Sequence, residues 1–226
     1  MRALTLLSGG LDSVVATWAA RRDHEIVAAL TFDYGQQARV REIDAARRVA
    51  GLLDCRHEVI ELPWLAALGG SALTEASAEI PSLPAEQLDD AEAAAETAQA
   101  VWVPNRNGVF VNIAAAYAEV LDVGAIVCGF NVEEGATFPD NTPEFMDAAA
   151  RFFALSTMRR PRLLSPTVTL TKSQIVQLGL ELGAPLEHVW SCYRGDEQPC
   201  WRCESCRRLK RALSTAGVWE RWLAER

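Results

Sequence analysis

Short apolar runs rich in β-branched residues alternate along the chain with longer stretches whose apolar positions recur at helical spacing. The runs predict strands at Ala3–Leu7, Ile26–Phe32 and Arg56–Leu62, and the stretches between them predict helices at Asp12–Arg22 and Gln36–Leu53. The second half continues the pattern. It predicts a helix from about Gly108 to Leu121, a buried strand at Ala125–Cys128, a helix from about Pro143 to Ser156, a strand near Arg162–Ser165, and a helix at Lys172–Leu182 stopped by Gly183. Strands interleaved with helices in this way, and apolar on both faces, give an α/β fold: an open, mainly parallel sheet with helices on both faces.

One stretch breaks the alternation. Residues 69–100 are rich in Ala, Ser and Pro and carry Glu75, Glu79, Glu86, Asp89, Asp90, Glu92 and Glu96 with no basic residue. Such composition reads as a solvated acidic insertion with an Ala-rich helix near Ala85–Gln99, or as a lid over a neighbouring site. The first reading is preferred, because acidic charge beside a phosphate ligand repels it.

The turn between the first strand and the first helix carries the strongest chemical signal. Ser8-Gly9-Gly10-Leu11-Asp12-Ser13 aims backbone N–H groups at an anion, adds two hydroxyls, and opens a helix whose N-terminal dipole favours negative charge. No lysine follows, so the loop is not a Walker A motif. It resembles the PP-loop of the N-type ATP pyrophosphatases, in which the departing pyrophosphate is held while a substrate oxygen attacks the α-phosphate. A plain serine-glycine turn capped by Asp12 is the bland alternative, and the whole hexapeptide between strand and helix outweighs it. Asp33, Tyr34 and Gly35 fall at the carboxyl end of the second strand, the edge where open α/β sheets bind ligands.

A second constellation lies near the C-terminus. Cys192, Cys200, Cys203 and Cys206 offer four thiolates at close spacing, while Cys55 and Cys128 stand alone in apolar surroundings. Four soft ligands suit one Zn²⁺ in a closed tetrahedral shell, a structural site; an iron–sulfur cluster is the rival occupant and disulfides come third. Arg207, Arg208, Lys210 and Arg211 follow at once and read as charge compensation or a solvated helix face.

At 226 residues the chain accommodates one α/β domain with appendages. The expected organisation is a PP-loop domain over residues 1–190, including the acidic 69–100 insertion, with a zinc-binding segment and helix over 191–226 packed on it. A formal net charge of -8 argues against a broad grip on nucleic acid, and a small-molecule substrate is expected. No apolar run is long enough to span a bilayer and no cleavable signal is seen, so no membrane partner and a cytoplasmic location are expected. His24, His57 and His188 lie outside the motifs and read as surface or packing residues.

Other ordered segments extend the pattern: Leu30-Thr31-Phe32-Asp33-Tyr34-Gly35-Gln36, Arg41-Glu42-Ile43, Val103-Pro104-Asn105-Arg106-Asn107, Phe138-Pro139-Asp140 with Pro143-Glu144-Phe145, Lys172 leading Gln174-Ile175-Val176-Gln177-Leu178-Gly179, and Trp190-Ser191-Cys192-Tyr193 before the cysteine triplet. With the PP-loop, this set resembles the 7-cyano-7-deazaguanine synthase family over most of the chain. The chain differs from the familiar bacterial pattern at Asn105 and Trp201, where glycine is expected, and across Glu134-Gly135-Ala136-Thr137-Phe138.

The resemblance implies an adenine nucleotide alpha hydrolase-like fold and a ligase that joins 7-carboxy-7-deazaguanine to ammonia, then dehydrates the amide to a nitrile, consuming ATP at each stage. It implies Mg²⁺ with the ATP, one structural Zn²⁺, and a homodimer. ATP is then expected along Leu7, Ser8, Gly9, Gly10, Leu11, Asp12, Ser13, Val14, Val15, Ala16 and Thr17, bordered by Asp33, Tyr34 and Gly35, with Ser8, Asp12, Ser13 and Lys172 as catalytic groups. Arg106, Phe138 and Asp140 are the expected substrate contacts, with Glu133 and Glu144 as other carboxylates that could read a guanine-like edge. The alternatives are a tRNA thiolase, a relative that attaches a deazaguanine to a protein partner, and a zinc-stabilised binding module without catalysis.

Overall fold

The computed structural model describes residues 1–225. In chain order the elements begin β1 (Arg2–Leu6), α1 (Leu11–Ala20), β2 (Glu25–Asp33), α2 (Arg39–Leu53), β3 (Arg56–Glu61) and α3 (Pro63–Ala67). They continue with α4 (Ala91–Val101), α5 (Arg106–Val120), β4 (Ala125–Val127), α6 (Val132–Gly135), α7 (Pro143–Ser156), β5 (Arg162–Leu164), α8 (Lys172–Leu182), α9 (Glu204–Thr215) and α10 (Trp219–Ala224). Short 3₁₀ turns lie at Ala85–Gln87, Pro139–Asn141 and Leu186–His188.

The strands pair in the order β3-β2-β1-β4-β5, every pair parallel. Successive residues of each central strand feed opposite layers: Leu4, Ala28, Leu30 and Ile126 pack with Ala114, Ala118 and Phe153 of α5 and α7, whereas Ala29 packs with Val14, Val49 and Ile175 of α1, α2 and α8. Burial on both faces explains why β4 reads as an unbroken apolar run and β1 is apolar but for Arg2 and the buried Thr5, while β3, at the edge, carries Arg56, Glu58 and Glu61. Strand order reverses between β1 and β4, and in an open sheet that reversal opens a crevice at the carboxyl ends of the two strands.

The predicted strands and helices are all present, α7 and α8 at the expected boundaries. Thr171 and Gln174 form a capping box at the start of α8, and Gly183 ends it in the left-handed conformation. Helix α2 starts at Arg39, not Gln36, because the Gln36 side chain folds back to accept from Tyr34 N and donate to the Phe32 carbonyl, holding a turn.

The 69–100 segment is not a solvated insertion. Its acidic composition hides spaced apolar residues: Leu73, Ile80, Leu83 and Leu88 are buried, as is Val101 just beyond it, and α4 turns Ala94 and Ala98 inward. The C-terminal segment clamps it. Ser82 bridges to Cys203, Thr97 donates to Glu204, and Arg208, itself buried, donates to the Leu88 carbonyl while pairing with Glu133 and Glu204. Among the described residues no helix is long and apolar enough to cross a membrane.

Candidate active site

The loop after β1 turns at Gly9, whose φ is +78° and whose missing side chain admits α2: a Cβ there would lie 2.7 Å from Ala45 Cβ and 2.8 Å from the Glu42 carbonyl oxygen. Only glycine meets both demands. The loop is then laced internally. The Ser8 and Ser13 hydroxyls lie 3.1 Å apart, Ser13 Oγ donates to the Gly10 carbonyl, and Trp190 N donates to the Gly9 carbonyl at 2.9 Å. From the other side of the crevice Gly129 presses against the first turn of α1. Its own loop is held by Ser165 Oγ, which accepts from Phe130 N, and by Thr167 Oγ1, which donates to the Phe130 carbonyl.

These contacts border a cavity of about 220 Å³ at the strand-order reversal. Leu7, Ser8, Gly10, Leu11, Asp12 and Ser13 line it, as do Tyr34, Arg106, Phe138 and Lys172. Val14, Val15, Ala16 and Thr17 do not: the three apolar side chains belong to the core, and Thr17 Oγ1 is spent on Thr5 and the Ser13 carbonyl. Gly9 sits behind the loop surface, and Asp33 uses its carboxylate to accept from Gly35 N, closing the turn after β2.

Lys172 is the electrostatic centre. The capping box of α8 fixes its backbone, and its ammonium, buried rather than exposed at a helix start, donates to Asp12 Oδ2 and, at 2.6 Å, to Glu134 Oε1. Asn131 caps α6 by accepting from Glu134 N, which sets Glu134 opposite Lys172. Burial pushes the Asp12 carboxyl up to about 6 against the pull of Lys172, with the Glu134 charge adding to the rise. Burial also opposes the charge on Glu134, but Lys172 wins and carries its pKa below the ordinary range. Asp12 Oδ1 is buried with no hydrogen-bond partner among the described residues. An orphaned carboxylate oxygen beside a second carboxylate fits a hard cation.

Arg106, at the start of α5, lies over the Tyr34 ring and donates to Tyr34 Oη at 3.1 Å. Among the described residues it forms no ion pair, so most of its guanidinium donors remain for a ligand. Asp140 is not on the cavity wall. Its carboxylate accepts from Asn107 N and from Asn141 Nδ2, which ties the Pro139–Asn141 turn to α5. Phe138 stacks nearly parallel to Trp102, centroids 5.8 Å apart, and both line the cavity. Glu133 is engaged by Arg208 and Arg211, and Glu144 is exposed.

The four predicted metal ligands converge. Their Sγ atoms all lie within 4.8 Å of one another, Cys200 and Cys206 at 4.0 Å, near the sulfur spacing of about 3.8 Å that Zn–S bonds of about 2.3 Å impose on a tetrahedron. Backbone N–H groups of Arg194 and Cys200 point at Cys192 Sγ, and those of Arg202 and Cys203 at Cys200 Sγ, so the knuckle favours thiolates.

A family model described as "Queuosine biosynthesis protein QueC" matches residues 2–217. The chain belongs to the QueC family. It is 49% identical over 96% of its length, and 99% of the relative, to a 7-cyano-7-deazaguanine synthase of Pelotomaculum thermopropionicum. It is 48% identical, over 96% of each chain, to a protein of the same name from Methanosarcina barkeri.

Two departures from the familiar QueC pattern have a common structural basis. Asn105 and Trp201 stand where glycine is expected, and both adopt left-handed backbone, with φ of 52° and 53°. Asparagine tolerates that region. Tryptophan does not do so readily, and Trp201 is held there by edge-to-face contacts with Trp219 at 4.9 Å and Trp222 at 6.2 Å. In this QueC chain the knuckle is thereby tied to α10.

Four residues of the QueC site escape a reading of sequence alone. Glu42 stands in the Arg41-Glu42-Ile43 segment and Glu134 in the departing Glu134–Phe138 stretch, but no local pattern marks either as facing the cavity; Trp102 lies in an apolar run; Gly129 is a lone glycine after a short strand. The local signal available for Glu134 was Asn131, three residues earlier, as a helix cap.

Proposed function

We propose that this chain acts as a 7-cyano-7-deazaguanine synthase, with ATP cleaved to AMP and pyrophosphate in each of two stages. The observation that carries the reading is one cavity lined by the PP-loop, the open guanidinium of Arg106 and the Trp102–Phe138 pair, in a chain that matches synthases of that name over nearly full length. A flat, anionic heteroaromatic acid suits the aromatic pair with its ring and Arg106 with its carboxylate.

In the first stage a carboxylate oxygen of the substrate attacks the α-phosphorus of ATP and the bond to pyrophosphate breaks. Charge grows on the departing pyrophosphate, where the loop amides and the N-terminus of α1 stabilise it. The Ser8 and Ser13 hydroxyls exchange their mutual contact for phosphate oxygens, and Lys172 turns part of its charge toward them. Ammonia then attacks the acyl carbon and AMP leaves. In the second stage the amide oxygen attacks a second ATP in the same way; loss of the nitrogen protons and departure of AMP yield the nitrile.

Asp12, through Oδ1, and Glu134 are the residues that would hold Mg²⁺. Bound there, Mg²⁺ supplies charge neutralisation of the phosphates. Cys192, Cys200, Cys203 and Cys206 would hold a structural Zn²⁺ with no open position. On this reading residues 191–226 belong to the same folding unit as 1–190, since Leu209, Leu213 and Trp222 share a buried cluster with Leu7 and Val14. A homodimer is expected in solution, and light scattering coupled to size exclusion tests it.

Mass spectrometry of the products from 7-carboxy-7-deazaguanine, ammonia, ATP and Mg²⁺ tests the function. The nitrile with two AMP per turnover is the expected result. AMP formed with tRNA alone, or a mass shift on a protein partner with no free nitrile, replaces the reading with one of its rivals.

A further inference from the structure

Five charged side chains line the cavity: the carboxylates of Asp12, Glu42 and Glu134, and the cations of Lys172 and Arg106. Asp12 and Glu134 share the Lys172 ammonium. Glu42 has no ion pair among the described residues. Its Oε2 accepts from the neutral amide of Gln36 at 2.8 Å; among the described residues no hydrogen bond reaches its Oε1, and the residue lines the cavity.

We propose that Glu42 is the ammonium site of the enzyme, binding the ion through Oε1 and taking the proton that turns it into ammonia. The inference rests on the synthase reading above and adds to it the residue that delivers the nitrogen.

Three observations converge on it. First, with Asp12 and Glu134 sharing Lys172, Glu42 is the cavity carboxylate that no cation pairs among the described residues, and a small cation is the ligand that balances it. Second, the position is right for nitrogen transfer. The Glu42 backbone touches the loop at Gly9, and the charge of Arg106, the expected holder of the substrate carboxylate, reaches its side chain. An ammonium on Oε1 would then share one cavity with the substrate carboxylate on Arg106.

Third, the other titratable groups on the wall are unsuited to take the proton. Lys172 holds Asp12 and Glu134. Burial raises the Tyr34 and Tyr193 phenols and the Cys128 thiol, so none of the three is ionised near neutrality. Burial raises the Glu42 carboxyl too, which makes it a better proton acceptor than a free glutamate; the Gln36 amide and Arg106 work against that rise, and Asp33 and the Cys192 sulfur support it. No hydrogen bond joins Glu42 to any of the four cysteines among the described residues.

The step balances without a further reactant. Ammonium gives one proton to Glu42 and its lone pair attacks the acyl carbon; the nitrogen–carbon bond forms, the carbon–oxygen bond to AMP breaks with its electron pair leaving on the phosphate, and the second nitrogen proton passes to solvent. Glu42 then returns its proton to solvent before the next ion binds.

Glu42→Gln tests this with two nucleophiles: ammonium, which must bind as a cation and lose a proton, and hydroxylamine, which is neutral near pH 7 and forms the hydroxamate directly. With ammonium at neutral pH the variant is expected to lose about a hundredfold in acyl-product formation, and the deficit should shrink as alkaline pH supplies free ammonia. With hydroxylamine it should match the unaltered enzyme within about twofold. An equal loss with both nucleophiles, or a raised KM for 7-carboxy-7-deazaguanine with the KM for ammonium unchanged, overturns the assignment and makes Glu42 a reader of the substrate ring. Should Glu42→Gln fail to fold, Glu42→Asp carries the same comparison, with the KM for ammonium raised and hydroxylamine unaffected as the expected outcome. If the unaltered enzyme makes no product with either nucleophile, the synthase reading itself fails, a result distinguishable from all of these.

Discussion

Gly129 lies so close to the first turn of α1 that a Cβ built on it would stand 2.4 Å from Ser13 N. The same atom would meet the Asp12 carbonyl oxygen at 2.7 Å. Two backbones therefore touch at the strand-order reversal, and the loop that holds phosphate is set against the segment after β4. The obstructing atoms are backbone, which cannot swing aside as a side-chain end could.

Gly129→Ala should push the phosphate loop away from its seat. We expect a loss of about 1–3 kcal/mol in unfolding free energy and, from displacement near the reacting atoms, about a hundredfold slower AMP release. Denaturant unfolding and a pyrophosphate assay measure the two. Normal turnover in a stably folded variant would mean that the approach of the two backbones has no bearing on the loop.

Burial holds the Asp12 carboxyl up at about 6 in the folded protein, above its ordinary value of 3.8. Folding therefore binds this proton more tightly than the unfolded chain does, so the associated stability is full below 3.8 and is lost as pH rises through about 6. In the absence of nucleotide and Mg²⁺, the stability of the unaltered protein relative to Asp12→Asn should fall between about pH 4 and 6, by about 3 kcal/mol. Denaturant titrations across that range check the sign. A rise in place of a fall would show that Lys172 outweighs burial at Asp12.

Trp201 combines left-handed backbone with contacts to Trp219 and Trp222, so its replacements separate the two effects. Trp201→Ala keeps the backbone cost and loses the rings; Trp201→Gly loses the rings and relieves the backbone. Both should be less stable than the parent, the alanine variant by about 1 kcal/mol more than the glycine variant. Thermal unfolding orders the three proteins. Equal stability of the two variants would place no strain at this residue.

Cys203 stands at the bridge to Ser82 as well as in the sulfur cluster. Cys203→Ser should abolish stoichiometric metal, cost roughly 4 kcal/mol or more, and raise hydrogen exchange around residues 80–90, which the C-terminal segment clamps. Elemental analysis and exchange mass spectrometry report on each. A folded, fully metal-loaded variant would remove Cys203 from the ligand set.

The segment 69–100 marks the point at which reading composition fails. Its acidic residues dominate any average, yet the buried Leu73, Ile80, Leu83 and Leu88 decide its place, and the C-terminal segment that clamps it lies 120 residues further along the chain, as from Leu88 to Arg208. Glu42 and Glu134 were hidden for the same reason. A carboxylate becomes a site residue through the cavity it faces and the cation it has or lacks, and neither is local in sequence. The Asn105 and Trp201 departures could be seen in the sequence; their shared left-handed backbone could not.

What the amino-acid order determined by itself was local: alternating strand and helix patterns, a glycine turn aimed at phosphate, the capping box and glycine stop of α8, and four thiols close enough along the chain to share one ion. Each depends on hydrogen bonds, backbone torsions or ligand spacing over a few residues, so short-range physics suffices. Tertiary structure alone decided that Lys172 would sit between Asp12 and Glu134, that Gly129 would press on Ser13, and that Glu42 would face the cavity with no ion pair among the described residues. Those arrangements arise where segments distant in sequence exclude water from one another, and the resulting burial and charge pairing belong to the assembled crevice, not to any stretch of the chain.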